Sequence, residues 1–148
     1  MKTAIVYYSR HHENTKKLLD AIKKASADDI TLIDVTANST ASLEGYDRIG
    51  FASGIYYSKF DKRVLEFAKA HTPQGKDVFF IYTYSAKRAG YTKAIREALA
   101  GKDANILGEF SCPGFNTFGP FRLIGGIAKN HPNDSDLKKA ISFYNGLH

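Results

Sequence analysis

Ala4-Ile5-Val6-Tyr7-Tyr8-Ser9-Arg10-His11-His12-Glu13-Asn14-Thr15-Lys16-Lys17-Leu18-Leu19 changes character twice within sixteen residues. It starts as an apolar, β-branched and aromatic run, which predicts a strand buried on both faces over Thr3–Tyr8. It ends as an amphipathic pattern, which predicts a helix from Asn14 to about Ala25 with Leu18, Leu19, Ile22 and Ala25 on one face. Between them lies a short turn of hydroxyls, imidazoles and an amide. A strand that enters a helix through such a turn aims unpaired N–H groups and the positive end of the helix dipole at one point. An anion such as phosphate fits there, held by backbone N–H groups and the Ser9 and Thr15 hydroxyls. Plain helix capping by Ser, Asn or Thr accounts for the same residues.

The strand–turn–helix pattern repeats along the chain. Ile30–Val35 reads as a second strand, and Thr36–Glu44 as a polar connection with one helical turn. Arg48–Ser53 reads as a third strand that Gly54 ends, and Asp61 as the start of a helix with Val64, Leu65, Phe67 and Ala68 inward. Pro73-Gln74-Gly75-Lys76 is a turn. Asp77–Thr83 is a fourth strand, Tyr91–Leu99 a helix with Gly101 as its C-cap, and Asn105–Cys112 a fifth strand. The last helix runs from Asp134 or Ser135 to Tyr144, burying Leu137, Ala140, Ile141 and Tyr144. Alternating strands and helices predict a parallel sheet covered on both faces. Right-handed crossovers place the strand-to-helix turns on one edge, where such sheets bind ligands. No repeat or linker interrupts the pattern, so residues 1–148 read as a single domain.

Composition narrows the class. The chain has 148 residues, 43% hydrophobic and 24% charged, which is ordinary for one soluble domain with one core. No apolar run approaches the roughly 18 residues that span a membrane. No signal-peptide pattern follows Met1, and a cytoplasmic protein is expected. The single cysteine, Cys112, excludes an intrachain disulfide and a multi-cysteine metal site, and reads as a buried inert thiol. His71, His131 and His148 read as solvated. The net charge of +6 points to an anionic partner or to an evenly solvated basic surface.

Three turns on the expected ligand edge carry the chemistry. The first, Ser9–Thr15, lacks the Gly-Lys-Ser/Thr ending of a Walker loop and the GxGxxG spacing of a dinucleotide site. The second, Ser53-Gly54-Ile55-Tyr56-Tyr57-Ser58-Lys59-Phe60, carries two adjacent tyrosines that either cover a flat ligand or pack under the loop. The third, Tyr82-Thr83-Tyr84-Ser85-Ala86-Lys87-Arg88-Ala89-Gly90-Tyr91, combines another aromatic, small hydroxyls and a glycine that lets backbone approach a ligand, or is an ordinary polar loop before a helix. A phosphate pocket with two aromatic-bearing loops matches a planar ring joined to a phosphate.

On these three turns the chain resembles the flavodoxin superfamily. The resemblance covers Thr3 to about Leu147. It implies an α/β, flavodoxin-like three-layer sandwich with a five-stranded parallel sheet of order 2-1-3-4-5, and flavin mononucleotide (FMN) at the sheet edge. The usual phosphate loop of that family is Ser/Thr-x-Thr-Gly-x-Thr. Here Ser9-Arg10-His11-His12-Glu13-Asn14-Thr15 is one residue longer, with Glu13 where Gly is usual. That spacing resembles the group with protoporphyrinogen-oxidising and quinone-reducing flavoproteins. The resemblance implies that Ser9, Asn14 and Thr15 hold the phosphate, while His11 and His12 replace the smaller middle residues of the loop and, with Arg10, are further cofactor-binding candidates. It places Ser53, Gly54, Ile55, Tyr56 and Tyr57 along one side of the flavin. Thr83, Tyr84, Ser85, Arg88 and Gly90 lie on the other.

The implied function is FMN-dependent electron transfer between redox partner proteins. The alternative is an FMN-dependent oxidoreductase acting on a small donor or acceptor, such as an NAD(P)H/quinone reductase or a protoporphyrinogen-type dehydrogenase. Arg10, His11, His12, Lys59, Lys87 and Arg88 fall on the expected flavin edge, where carrier flavodoxins are acidic. They favour an acidic partner or an anionic substrate, and should make addition of the second electron easier. A phosphoacceptor receiver would need acidic residues where Tyr8-Ser9 and Ala52-Ser53 stand. No nucleic-acid module is present. The connection Pro113–Asn133 is long, and Phe115, Asn116 and Phe118 are candidates to wall the site, while Phe121, Leu123 and Ile127 are candidates to pack on the sheet edge.

Overall fold

A computed structural model describes residues 1–10, 13–114 and 130–148. The described elements are β1 (Lys2–Tyr8), α1 (Asn14–Ala25), β2 (Asp29–Asp34), β3 (Arg48–Tyr56), β4 (Lys59–Phe60), α2 (Lys62–His71), β5 (Asp77–Tyr84), α3 (Lys93–Ala98), β6 (Asn105–Pro113) and α4 (Asp134–Asn145). The five long strands form one sheet of order β2-β1-β3-β5-β6, every neighbouring pair parallel. Apart from the short β4, this is the order the sequence implied.

Period-two alternation divides the core between the two faces of the sheet. Ala4, Val6 and Tyr8 of β1 join Ile49, Phe51, Val78 and Phe80 on the face covered by Val64 and Phe67 of α2 and Ile95 of α3. Ile5 and Tyr7 join Phe79 and Ile81 on the face covered by Leu18, Leu19 and Ile22 of α1 and Ala140 and Tyr144 of α4. β1 is flanked by β2 and β3 and so is apolar on both faces. Gly50 lies under Phe79, and a Cβ there would run into the ring.

Local chemistry sets the element ends. The Asp61 carboxylate accepts the Arg63 N–H at 2.9 Å and starts α2. Asn133 and Asp136 form a reciprocal capping box at the start of α4.

Several sequence expectations are corrected. Gly54 does not end β3, which continues to Tyr56 because Ile55 and Tyr56 pair antiparallel with Phe60 and Lys59. The single helical turn expected within Thr36–Glu44 begins earlier, where the Asp34 carbonyl accepts the Ala37 and Asn38 N–H groups at 3.1 and 2.9 Å, and it does not continue as a helix. The Asp34 carboxylate also accepts from the Thr36 N–H and hydroxyl, an Asx-type contact over the same turn. α3 starts at Lys93, since Tyr91 and Thr92 belong to the preceding turn. Its C-cap is Leu99, and Gly101, at φ +80°, turns the chain two residues later. Ala25 is exposed at the end of α1.

Right-handed crossovers put the ends of β1, β3, β5 and β6 and the starts of α1, α2 and α4 on one edge. Among the described residues, no helix is long and apolar enough to cross a membrane.

Candidate functional site

The first turn leaves β1 at Tyr8 and enters α1 at Asn14. The residue at the N-cap position, Glu13, has left-handed backbone (φ 52°, ψ 38°) and makes no side-chain capping bond. That role falls to Ser9, whose Oγ accepts the Lys16 N–H at 3.2 Å. Ser9 thus sits beneath the first helical turn, where the dipole favours an anion. Asn14 and Thr15 are buried, whereas Arg10 and Glu13 are exposed. His11 and His12 lie outside the described residues.

Long-range contacts join this turn to the next strands. The hydroxyls of Thr15 and Thr83 meet at 3.1 Å, tying α1 to the end of β5. The Gly114 N–H donates to the Tyr84 carbonyl at 2.9 Å. A Cβ on Gly114 would stand 2.8 Å from Asn14 Nδ2 and 3.1 Å from Thr83 Cβ. Only glycine lets these three segments close so tightly. The sequence reading did not single out Gly114. Its signal is a lone glycine directly after Pro113, at the end of a strand.

The second turn is a hairpin. Ser53 is buried, and its Oγ accepts the Asp61 N–H at 3.0 Å, drawing the start of α2 back to β3. Tyr57 and Ser58 form the two-residue loop between the Tyr56–Lys59 pair, and both have positive φ (52° and 66°). Such loops normally carry Asn or Gly. Two side-chain-bearing residues held there store backbone strain at this edge of the sheet. Tyr57 projects into solvent, 88% exposed. Tyr56 does the opposite. Its half-buried ring stands edge-on to Tyr8 with centroids 6.0 Å apart. Burial pushes the pKa of its hydroxyl up to about 12. Arg63 lies over the Tyr8 ring, 4.5 Å from its centroid, and pairs with Asp61 at 3.4 Å. Tyr8 and Arg63 are further wall residues that the sequence reading left out of the site.

In the third turn, Thr83 is buried and Tyr84 and Ser85 are half-buried, while Lys87, Arg88 and Gly90 are exposed. Gly90 adopts φ +89°. The Tyr91 hydroxyl donates to the Ala86 carbonyl, bracing the loop from below. Tyr82, Tyr84 and Tyr91 pack ring to ring at about 6 Å. The predicted residues Asn14, Thr15 and Thr83 are therefore brought into one packed junction. Gly54 and Ile55 lie on β3 itself rather than in a loop. Arg88 and Gly90 stay at the outer rim.

Cys112 is buried, and desolvation raises its thiol to about 12, so it stays protonated. His131 is not simply solvated: its Nδ1 lies 2.6 Å from the Asp136 carboxylate. His71 packs its ring on Phe67 at 4.7 Å. Among the described residues, no group of three His, Cys, Asp or Glu side chains is placed to hold a metal ion. Phe115, Asn116, Phe118, Phe121, Leu123 and Ile127 lie outside the described residues.

The model of the Flavodoxin domain matches residues 4–110. The chain belongs to the flavodoxin family. An uncharacterized protein of Methanocaldococcus jannaschii is 41% identical over 145 residues, covering 97% of this chain and 95% of that one. Rubredoxin:oxygen oxidoreductase from Desulfovibrio gigas superposes with a TM-score of 0.73 at 13% identity, covering 99% of this chain and 35% of that one. Flavodoxin from Fusobacterium nucleatum, in a structure with flavin mononucleotide bound, superposes with a TM-score of 0.65 at 14% identity over the full length of both chains. At these identities the superpositions establish the fold. The matched part of this flavodoxin domain contains all three turns of the site.

Proposed function

We propose that this flavodoxin domain, a single unit over residues 1–148, binds FMN and carries electrons between redox partner proteins in the cytoplasm. The observation that carries the reading is the packed junction at the start of α1. There Thr15 and Thr83 meet at 3.1 Å and Gly114 lies against Asn14, beside a helix N-terminus whose capping group is Ser9. Hydroxyls, an amide and helix N–H groups form a donor set that fits a phosphate monoester. The adjoining hairpin presents an exposed tyrosine, which fits a planar ring. The Fusobacterium nucleatum flavodoxin bound to FMN supports the same assignment by fold.

When bound, the flavin would supply the redox chemistry, and the protein would supply orientation, burial and charge. Ser9, Arg10, Asn14 and Thr15, with His11 and His12 from the same turn, would hold the phosphate. Ser53–Tyr57 and Thr83–Ser85 would flank the ring, with Arg88 and Gly90 at its rim. Exposed Arg10, Lys59, Lys87 and Arg88 would draw an acidic partner to this edge at low ionic strength. An absorption spectrum of the purified protein tests the reading. Bound-flavin bands are expected, and a colourless protein that FMN cannot reconstitute refutes it. Turnover of NAD(P)H with a quinone by the chain alone would replace the carrier role with that of an oxidoreductase.

A further inference from the structure

A groove of about 310 Å³ lies between α2 and the segment that follows β2. Small-molecule sites run from roughly 300 to 1,000 Å³, so this one suits a small ligand. Arg63, Glu66, Phe67, Ala70 and His71 line it along one face of the helix, opposite Val35 and Ser39. Val35 and Phe67 are buried and give it an apolar floor. The His71 ring packs on Phe67 at 4.7 Å and extends that floor into an aromatic wall. Arg63 stands at the other end, in the first turn of α2. At 1.5 Å of rise per residue it is about 6 Å along the axis from Phe67 and about 12 Å from His71. Asp61 engages Arg63 through Nη1 at 3.4 Å, and a guanidinium carries five N–H donors. The helix dipole adds positive potential at this end, and Lys62, Arg63 and Lys69 outnumber Glu66 on α2.

We propose that this groove is a second binding site, for a nucleoside monophosphate, with the phosphate on Arg63 and the base against Phe67 and His71. Charge and shape point to that class together. The aromatic wall and apolar floor take a planar base. The guanidinium at the helix start takes a phosphate through paired hydrogen bonds. The separation of the two ends leaves room for a ribose, and Glu66, one turn after Arg63, and Ser39 supply acceptors for its hydroxyls. The same chemistry belongs to a free nucleotide and to the nucleotide half of a dinucleotide electron donor. Arg63 also lies over the Tyr8 ring at 4.5 Å, so the phosphate end of the groove adjoins the edge that gathers the three turns.

The test titrates AMP, adenosine and NADH against the 15N-labelled protein and follows the backbone amides. AMP should move the amides of Arg63, Glu66, Ala70 and His71 saturably. It should bind at least about tenfold more tightly than adenosine, because only the phosphate makes the charge-assisted bonds to Arg63. Arg63→Gln should bring the two affinities together. Ala70→Trp fills the groove from an exposed helix position, and should abolish AMP binding while the circular dichroism spectrum stays that of the wild type. NADH binding more tightly than AMP assigns the site to a dinucleotide, and equal or weaker NADH binding assigns it to a free nucleotide. The proposal is overturned if AMP leaves the α2 amides unmoved, if adenosine binds as tightly as AMP, or if the preference for AMP survives Arg63→Gln. A folded Ala70→Trp variant that binds AMP as the wild type does overturns it too. Shifts confined to Ser9, Thr15 and Thr83 also overturn it, because AMP then sits in the turn at α1. No flavin enters these titrations, so this proposal and the FMN reading fail separately.

Discussion

Replacing Gly114 with alanine tests whether the junction of α1, β5 and β6 builds the site. The added Cβ would fall 2.8 Å from Asn14 Nδ2, 3.1 Å from Asn14 Cγ and 3.1 Å from Thr83 Cβ. Thr83 Cβ is fixed by its strand and by the 3.1 Å bond of its hydroxyl to Thr15, so it cannot swing aside as a long side chain would. Relief requires β6 to move away from β5, or Asn14 to leave its position. Overpacking of this kind costs about 1–3 kcal/mol. Alanine recovers about 0.4–1 kcal/mol by restricting the unfolded chain, because the backbone at residue 114 is not left-handed. The net loss is about 1–2 kcal/mol, which lowers Tm by roughly 2–8 °C in a domain of this size. Affinity for FMN should fall by more than tenfold, since Asn14 and Thr15 are the groups displaced. Thermal melts by circular dichroism and fluorescence titration with FMN measure the two effects separately. A variant with unchanged Tm and unchanged FMN affinity would show that this close packing plays no part in holding the ligand.

Other outcomes follow from the same geometry. Ser58→Gly relieves one left-handed residue of the Tyr57-Ser58 hairpin and should raise stability by about 1 kcal/mol, read as a denaturation midpoint shifted upward at constant m; a midpoint that falls would mean the loop is not strained. The Cys112 thiol is pushed up to about 12 from its usual 9.0, chiefly by burial. Above pH 9 the unfolded chain therefore loses this proton while the folded chain keeps it, so stability should drop steadily between pH 9 and about 12. Cys112→Ala should flatten that part of the profile, and a profile identical to wild type would rule the thiol out. Charge reversal at Lys59 or Arg88 should lower the reduction potential of bound FMN by roughly 10–30 mV per substitution at low salt, with the effect shrinking as salt rises. Spectroelectrochemistry reads this directly, and a potential indifferent to both substitutions would remove the rim charges from the account.

The sequence by itself determined the order of elements and the edge of the sheet that gathers the three turns. β1 and β5 were legible because a strand with neighbours on both sides must be apolar on both faces, and Ala4–Tyr8 and Val78–Tyr82 are. Asp61 announced α2 through local capping, and Ser9 and Thr15 marked the turn into α1 by their place at the start of a helix. Each of these signals acts within a few residues of chain. What only the tertiary structure decided depends on partners distant in sequence. The Thr15–Thr83 bond spans 68 residues. Gly114 matters because Asn14 and Thr83 stand beside it, and neither is its neighbour in the chain. Tyr56 and Tyr57 are adjacent and chemically identical, so no pattern separates them. The fold sends one ring back over Gly54 against Tyr8 and the other out to solvent. The physical reason is the hairpin. β4 pairs with the end of β3, puts Tyr57 at a left-handed turn position and leaves Tyr56 in the strand. A single step along a strand points successive side chains to opposite sides.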